Sequence, residues 1–409
     1  MFKLAWRNLW RNRTRTFIVG SAIVFSYALM LVSLGISDDM YRKMMDAAAV
    51  GVGGEVLVHG DGWWASQSSD IVIDRPDELA EALAGVAGVE STVPRVIING
   101  LLTSPRGNEA VRLSGVDLER EQELRALQEN LRTGEFFSDE FDEPIVLSQQ
   151  LAEKLGVERG DKVVLTASRP DGEVTRALFR LDGTVAAPTG IGEMLAYTTI
   201  GAARDAVGMG GQLTQFGVLS SPDVAHGAVA ERLRGALDTD TLEVLTWEQA
   251  APEMVGFIQM DEAFGYLYMI IVFIVVVLAI TNTFLMAVME RVREFGLLNA
   301  IGMSPAKVGA LILWETVLLA VVSIVIGFGL GFAIHSYIDA VGIDLAAMGL
   351  VDMELAGVSL TDMVMRSTIN PFRWTIATLA VFTAVMLSAT YPAWRASKMG
   401  PAEAMRFYE

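Results

Sequence analysis

The 409-residue chain contains no cysteine. That excludes disulfides, thiol chemistry, iron–sulfur ligation and an anchor on a lipid-modified cysteine. Histidine is almost as scarce: His59, His226 and His335 are the only three, too scattered along the chain for a metal cluster. No HExxH, GxSxG or GxxxxGK[ST] pattern occurs, so the chain offers no zinc-protease helix, no serine-hydrolase elbow and no phosphate-binding loop. We assign no catalytic residue and no metal ligand. Cations are outnumbered, 31 Lys+Arg against 49 Asp+Glu for a net charge of −18, which argues against nucleic acid as a partner. The acids do not form a DxDxDG loop, so they read as a solvated surface and not as calcium sites.

What the chain does have is apolar residues, 52% of the total, and these are concentrated. Four stretches, 17–36, 264–289, 308–334 and 374–391, are each long enough at 1.5 Å per residue to cross a hydrocarbon core of about 30 Å. Charge is sorted around them. Lys3, Arg7, Arg11, Arg13 and Arg15 precede the first stretch, Arg291, Arg293 and Lys307 lie between the second and third, and Arg395, Lys398 and Arg406 follow the fourth. With only Glu290, Glu294, Glu403 and Glu409 opposing them, these segments carry +7, while 38–265 carries −21. Short basic segments stay in the cytoplasm and long acidic ones are translocated. The expected order is a cytoplasmic amphipathic helix (1–16), TM1 (17–36), an extracytoplasmic domain (37–263), TM2 (264–289), a cytoplasmic helix (290–307), TM3 (308–334), an extracytoplasmic loop (335–373), TM4 (374–391) and a cytoplasmic tail (392–409). The first apolar run is longer than a secretory h-region and Ser37-Asp38-Asp39 is no cleavage site, so it reads as an uncleaved anchor.

Within the large domain, hydrophobic spacing alternates between strand and helix. EVLVHG (55–60), DELAEALAGVAGV (77–89) and VPRVIINGLLTS (93–104) read as strand, helix and strand. VRLSGVD (111–117) is a strand, a charged helix is expected near 119–132, and LSQQLAEKLGVERGDKVVLTA (147–167) is a helix stopped at Gly156 followed by a strand. Arg169-Pro170-Asp171-Gly172 supplies turn residues for a hairpin over 163–181. TQFGVLSS (214–221), a helix over 222–237 and LEVLTWEQ (242–249) form a second strand–helix–strand unit. Two α/β units thus flank a β-rich middle, the pattern of one subdomain inserted into another. In the loop between the third and fourth spans, LAAMGLVDMEL and LTDMVM suggest a short helix on the outer interface.

Few polar groups lie inside the spans. Asn282 and Thr283 suit helix–helix hydrogen bonding. Glu315, about 10 Å into the third span, calls for a cation from the nearby basic edge. Gly327, Gly329 and Gly331 permit a close helix approach. The opening residues MFKLAWRNLWRNRTR put Phe2, Trp6, Leu9 and Trp10 on one face, as in a helix lying at the membrane interface. The connector ERVREFGLLNAIGMSP (290–305) is richer than a turn needs. Glu290, Arg291, Arg293 and Glu294 mark where the second span meets water. Phe295, Leu298 and Ile301 share a helical face, with Gly296, Leu297 and Ala300 beside them, and Gly302 supplies a helix stop. An interfacial helix and a docking element both satisfy this pattern.

The whole chain resembles the FtsX-like permeases of ABC transporters of the MacB and lipoprotein-sorting (Lol) kind. The most specific stretches are ERVREFGLLNAIGMSPAKVGALILWE (290–315) and YPAWRASKMGPAEAMRF (391–407); GVAGVESTVPRV, LAEKLGVERGDKV and LTWEQAAPEM are also similar. The resemblance implies an α-helical membrane protein with four transmembrane helices plus a large extracytoplasmic α+β domain, a porter-like α/β part with an inserted β-rich subdomain, in a bacterial inner membrane. It implies that residues 290–302 form a coupling helix docked on a separate ABC ATPase dimer, which binds the ATP and Mg, with no cofactor on this chain. A second permease copy or paralogue and a lipid-linked or hydrophobic substrate, foremost lipoproteins, are implied as partners. A periplasmic carrier protein is implied as well, but the hairpin SRPDGEV (168–174) is short where carrier-recruiting relatives have a long Pro-rich hook. The alternatives are MacB-like export of peptides, toxins or antibiotics, and a transmembrane regulator that activates a cell-wall hydrolase without transport.

Overall fold

The computed structural model describes residues 2–11, 13–121, 131–185, 194–300, 302–344, 354–355, 358–359 and 364–398. In chain order, α1 (Phe2–Arg11) and α2 (Arg13–Val52) lead into β1 (Val56–Gly60), α3 (Trp63–Ser66), α4 (Pro76–Ala84), β2 (Val89–Thr103), β3 (Asn108–Val116), β4 (Leu131–Gly134) and β5 (Pro144–Ser148). There follow α5 (Gln149–Leu155), β6 (Lys162–Ser168), β7 (Val174–Val185), β8 (Leu195–Thr199), α6 (Ile200–Val207), β9 (Gln215–Ser220), α7 (His226–Ala236), β10 (Leu242–Thr246) and α8 (Trp247–Ala250). The chain ends with α9 (Pro252–Glu290), α10 (Val292–Ala300), α11 (Pro305–Val341), the short strands β11 (Ile343–Asp344), β12 (Glu354–Leu355), β13 (Val358–Ser359) and β14 (Val364–Met365), and α12 (Pro371–Lys398). It divides into two units, one of residues 1–42, 259–344 and 364–409, the other of 43–258 and 345–363.

The first unit is a helical bundle. Its helices α2, α9, α11 and α12 are each long and apolar enough to cross a membrane, and all four run past the expected spans at one or both ends. Tyr27, Leu31, Ile280, Leu319, Trp374, Val381 and Val385 form the bundle core. Tyr27 on α2 shares a 2.6 Å hydroxyl hydrogen bond with Thr378 on α12. Close approach of α11 to α2 depends on two glycines. A Cβ on Gly327 would stand 3.1 Å from the Val24 carbonyl oxygen, and one on Gly331 3.3 Å from Ala28 Cα, whereas Gly329 faces open space. Small residues four apart let two backbones meet.

The second unit is a ten-stranded sheet system in the order β10-β1-β9-β2-β3-β8-β5-β7-β4, with β6 pairing both β2 and β7. The path β2-β3-β8-β5-β7-β6 therefore returns to β2 and closes a ring. The 15-residue β2 joins the two parts: Val89–Arg95 pairs with β9, and Val96–Thr103 pairs with β3. Flanking segments of the unit meet through β1, which is antiparallel to β9 and to β10. The core under these strands includes Val58, Val96, Leu113, Leu147, Phe179, Val218 and Leu233. The 163–181 hairpin is present, with Lys162 opposite Arg180 and Ser168 opposite Val174. Its neighbour α5 begins where the Ser148 side chain accepts from Leu151 N and ends at Gly156 with φ 62.

Several sequence expectations change. LEVLTWEQ is a strand only to Thr246; Thr246 and Gln249 then make a capping box that starts α8, and two backbone donors satisfied by side chains outweigh strand propensity there. The helix expected over 222–237 begins at His226. Most of the charged helix near 119–132 lies outside the described residues, and its end, 131–132, belongs to β4, which pairs with β7. The helix expected in the third-to-fourth loop also lies largely outside the described residues; at 354–355 and 364–365 the chain is instead paired strand, Glu354 with Ser359 and Val364 with Asp344.

In the second unit His59 is fully buried, stacked on Trp63 at 4.6 Å between ring centres and tilted against Trp64 at 5.3 Å. Its Nδ1 lies 3.2 Å from the Thr214 carbonyl oxygen, and Nε2 is buried without a partner. Burial penalises the imidazolium and pulls the pKa down to about 4.

Candidate functional site

The connector 290–305 folds as a distinct short helix. At about 1.5 Å per residue, α10 is a rod roughly 13 Å long, set off from α9 by a turn at Arg291. Its end is a Schellman motif: Met303 N donates to Leu298 O at 2.9 Å, Gly302 N donates to Asn299 O at 3.1 Å, and Gly302 has φ +100. Ser304 then takes the N-cap position and Pro305 opens α11, although the Ser304 hydroxyl accepts no capping bond.

The two faces of α10 differ. Val292, Phe295 and Gly296 are buried. Phe295, 3% exposed, packs with Val288, Val308, Ile312, Ala393 and Ala396, with Leu298 at the edge of that cluster. Phe295 and Leu298, which the sequence puts on one helical face within the docking stretch 290–302, pack against the chain's own bundle. Arg293, Leu297 and Ala300 face outward together with Glu290 at the end of α9, and Leu297 is 60% exposed. Ile301 lies outside the described residues.

An ion-pair chain fixes α10 to its neighbours. Arg291 Nη1 is 3.0 Å from Glu315 Oε2 on α11, and Arg291 Nε is 3.3 Å from Glu294 Oε2. Glu294 Oε1 in turn meets Arg11 at 2.8 Å, and Asn8 Nδ2 donates to Glu315 Oε1 at 2.6 Å. The Arg291 guanidinium also stands 5.1 Å from the centre of the Phe295 ring. Glu315 is thus paired from both α1 and the connector, beside a small cavity of about 40 Å³ lined by Asn8, Thr283, Arg291 and Phe295. Thr283 donates to the Ala279 carbonyl of its own helix at 3.0 Å. Asn282 is exposed on α9.

Toward the other ends of α2 and α9 the bundle holds a much larger cavity of about 450 Å³. Leu29, Met30 and Leu34 of α2, Met269, Val272, Phe273 and Val276 of α9, and Val381 of α12 line it, so its wall is mostly hydrocarbon. Glu262, Tyr41 and Arg373 stand at its rim. Arg373 Nη1 contacts Asp38 at 2.6 Å and Nη2 bonds Glu262, while Tyr41 donates to Asp261 at 2.7 Å. An apolar chamber with a charged rim suits a molecule with a hydrocarbon part and a polar head. Sequence reasoning passed over Asp38, Glu262 and Arg373 because each lies just outside an expected span, where lone charges are ordinary. Among the described residues, no group of three or more His, Cys, Asp or Glu is placed to hold a metal.

Comparison with known proteins bears on this part of the chain. Residues 266–401 match the family described as FtsX-like permease C-terminal. The lipoprotein-releasing system transmembrane protein LolC of Neisseria meningitidis serogroup B is 25% identical over 344 residues, 78% of this chain and 79% of that protein. Among solved structures, the periplasmic region of MacB from Actinobacillus actinomycetemcomitans aligns at 16% identity and TM-score 0.35, covering 50% of this chain and 95% of that one. The extracellular domain of the noncanonic ABC-type transporter YknZ from Gram-positive bacteria aligns at 14% and 0.32, covering 47% and 99%. The stretch that carries α10, Glu315 and most of their supports is the part of the chain that matches this FtsX-like permease family.

Proposed function

We propose that this chain is the permease subunit of an ABC transporter of a bacterial inner membrane, in which a separate ATPase dimer, holding ATP and Mg, moves the large periplasmic domain to extract a lipophilic substrate, foremost a lipoprotein. The observation that carries the coupling half is the two-sided α10: Phe295 and Arg291 build it into the bundle, and Arg293, Leu297 and Ala300 remain outside as a surface for the motor. A force applied to that face is passed to α11 and α12 through the Phe295 cluster, which is packed and not compliant. Continuity of α2 and α9 gives the motion a path: α2 leads almost directly into β1, and β10 leads through α8 into α9, with β1 and β10 hydrogen-bonded as neighbours.

The substrate half rests on the apolar cavity with Tyr41, Glu262 and Arg373 at its rim, Arg373 being paired with Asp38. A lipid-linked protein presents acyl chains and a polar head, which matches that arrangement. MacB-like export of a hydrophobic peptide, toxin or antibiotic would use the same wall, and it is the second reading. A regulator that only activates a cell-wall hydrolase would have no use for the chamber. The partners of this reading are the ATPase dimer, a second permease copy or paralogue and the lipid-linked cargo; a periplasmic carrier would be recruited elsewhere than on the short 168–174 hairpin.

Copurification of the cognate ATPase with single variants tests the coupling half. Loss of the ATPase on Leu297→Asp, with insertion and melting unchanged, is expected; full retention would contradict the docking face.

A further inference from the structure

Among the described residues, the contacts to helix α1 come from one side. Ala5 is fully buried and, with Leu9, packs on Leu311 and Leu318 of α11. Asn8 and Arg11 are bonded to Glu315 and Glu294, and Thr16 Oγ1 donates to the Leu9 carbonyl at 2.7 Å. The opposite side carries Lys3, Trp6, Arg7 and Trp10, all exposed. Lys3 and Arg7 are one turn apart, as are Trp6 and Trp10, so the helix presents a basic stripe beside an aromatic one. The two indoles sit 6.1 Å apart, edge to face. The ion-pair chain uses Arg11, while Lys3 and Arg7 are exposed.

We infer that this face of α1 is a binding surface for anionic phospholipid headgroups. Only residue 12 separates α1 from α2, which carries the chain straight into the hydrocarbon, so the outer face of α1 lies at headgroup depth. There indole rings favour the interface, and lysine and arginine favour a phosphodiester negative charge. No acidic residue occurs in the first fifteen. The stripe is an open, exposed surface suited to headgroups in a plane, whereas a free phosphate ion is held by enclosed, buried donors. Because α1 is bonded to Glu294 and Glu315, bound lipid also braces α10. The inference is independent of cargo and ATPase.

The test uses the full chain, without ATPase, in phosphatidylcholine nanodiscs containing a small fraction of brominated phosphatidylglycerol or brominated phosphatidylcholine. The quenching lost in a Trp6→Phe/Trp10→Phe variant isolates the α1 signal among the eight tryptophans. Local enrichment of the anionic lipid over the zwitterionic one should be on the order of 30-fold for two cations. It should vanish in Lys3→Glu/Arg7→Glu and persist in Lys3→Arg/Arg7→Lys, with melting unchanged for both. Equal quenching by the two lipids, or enrichment that survives charge reversal, would overturn the assignment. So would displacement of the lipid by soluble glycerol phosphate at matched concentration, which would mark a phosphate site and not a lipid surface.

Discussion

Arg291 and Glu315 are paired at 3.0 Å although one sits in the turn before α10 and the other within α11, 24 residues on. Their side chains are 17% and 15% exposed, so neither is well hydrated if its partner is lost. Glu315→Leu should therefore cost about 2 kcal/mol, less than for a fully buried pair, while the double variant Arg291→Met/Glu315→Leu should recover most of the loss. Thermal unfolding of the four chains in detergent completes the cycle; additive losses would mean that the pair is not coupled.

Phe295 and Leu297 are two residues apart and should behave oppositely. Phe295→Ala removes a buried ring from the cluster with Val308, Ile312 and Ala393 and should destabilise the bundle by about 3 to 5 kcal/mol. Leu297→Ala should leave melting within about 0.5 kcal/mol yet weaken ATPase binding. Melting curves paired with ATPase pull-down would separate the two; a stability loss at Leu297 equal to that at Phe295 would contradict the facing assigned here.

Gly327 lets α11 approach α2 closely. Gly327→Val would press side-chain carbon onto the Val24 carbonyl and Tyr27 ring, with an overpacking cost of about 1 to 3 kcal/mol. Gly329→Val, facing open space, should be tolerated. Equal effects in unfolding experiments would show that α2 does not approach α11 at the glycine.

His59 gives the second unit a pH dependence of known sign. Its folded pKa, about 4, lies below the ordinary imidazole value of about 6.5. Between those values the unfolded chain takes up a proton that the folded chain refuses, so stability is complete above pH 6.5 and falls as pH drops toward 4. The full loss is on the order of 3 kcal/mol. Denaturant unfolding of wild type and His59→Phe at pH 7 and pH 4.5 should show a smaller pH effect in the variant; identical pH slopes would remove His59 as the cause.

The sequence carried the spans and most of the strands because both follow from periodicity and length: β1, the 163–181 hairpin and the Gly302 stop are all local patterns. The features it missed depend on distant partners. Nothing in 290–302 tells which side of α10 meets the bundle, since Phe295 and Leu297 are equally apolar, and the decision is made by Val308, Ile312 and Ala393. The Arg373–Asp38–Glu262 ion pairs join three helices at positions just outside the expected spans, where charges look alike in sequence. The ring closed by β6 on β2 requires pairing Gly100 with Ala167, a contact no local pattern announces. The turn at 247–250 was missed for a different reason: Thr246 and Gln249 form a readable capping box, but the alternation of LEVLT ran into it.

The most direct test is ATP-driven release of cargo. Proteoliposomes loaded with a lipid-anchored protein, this chain, its partner permease and the cognate ATPase should release the anchored protein to a soluble acceptor only when ATP is hydrolysed. Leu297→Asp should abolish that release, and Val272→Trp, which narrows the cavity, should impair it while ATP hydrolysis continues. Vigorous ATP hydrolysis by the assembled wild-type complex with no release of any lipid-linked cargo would contradict the account.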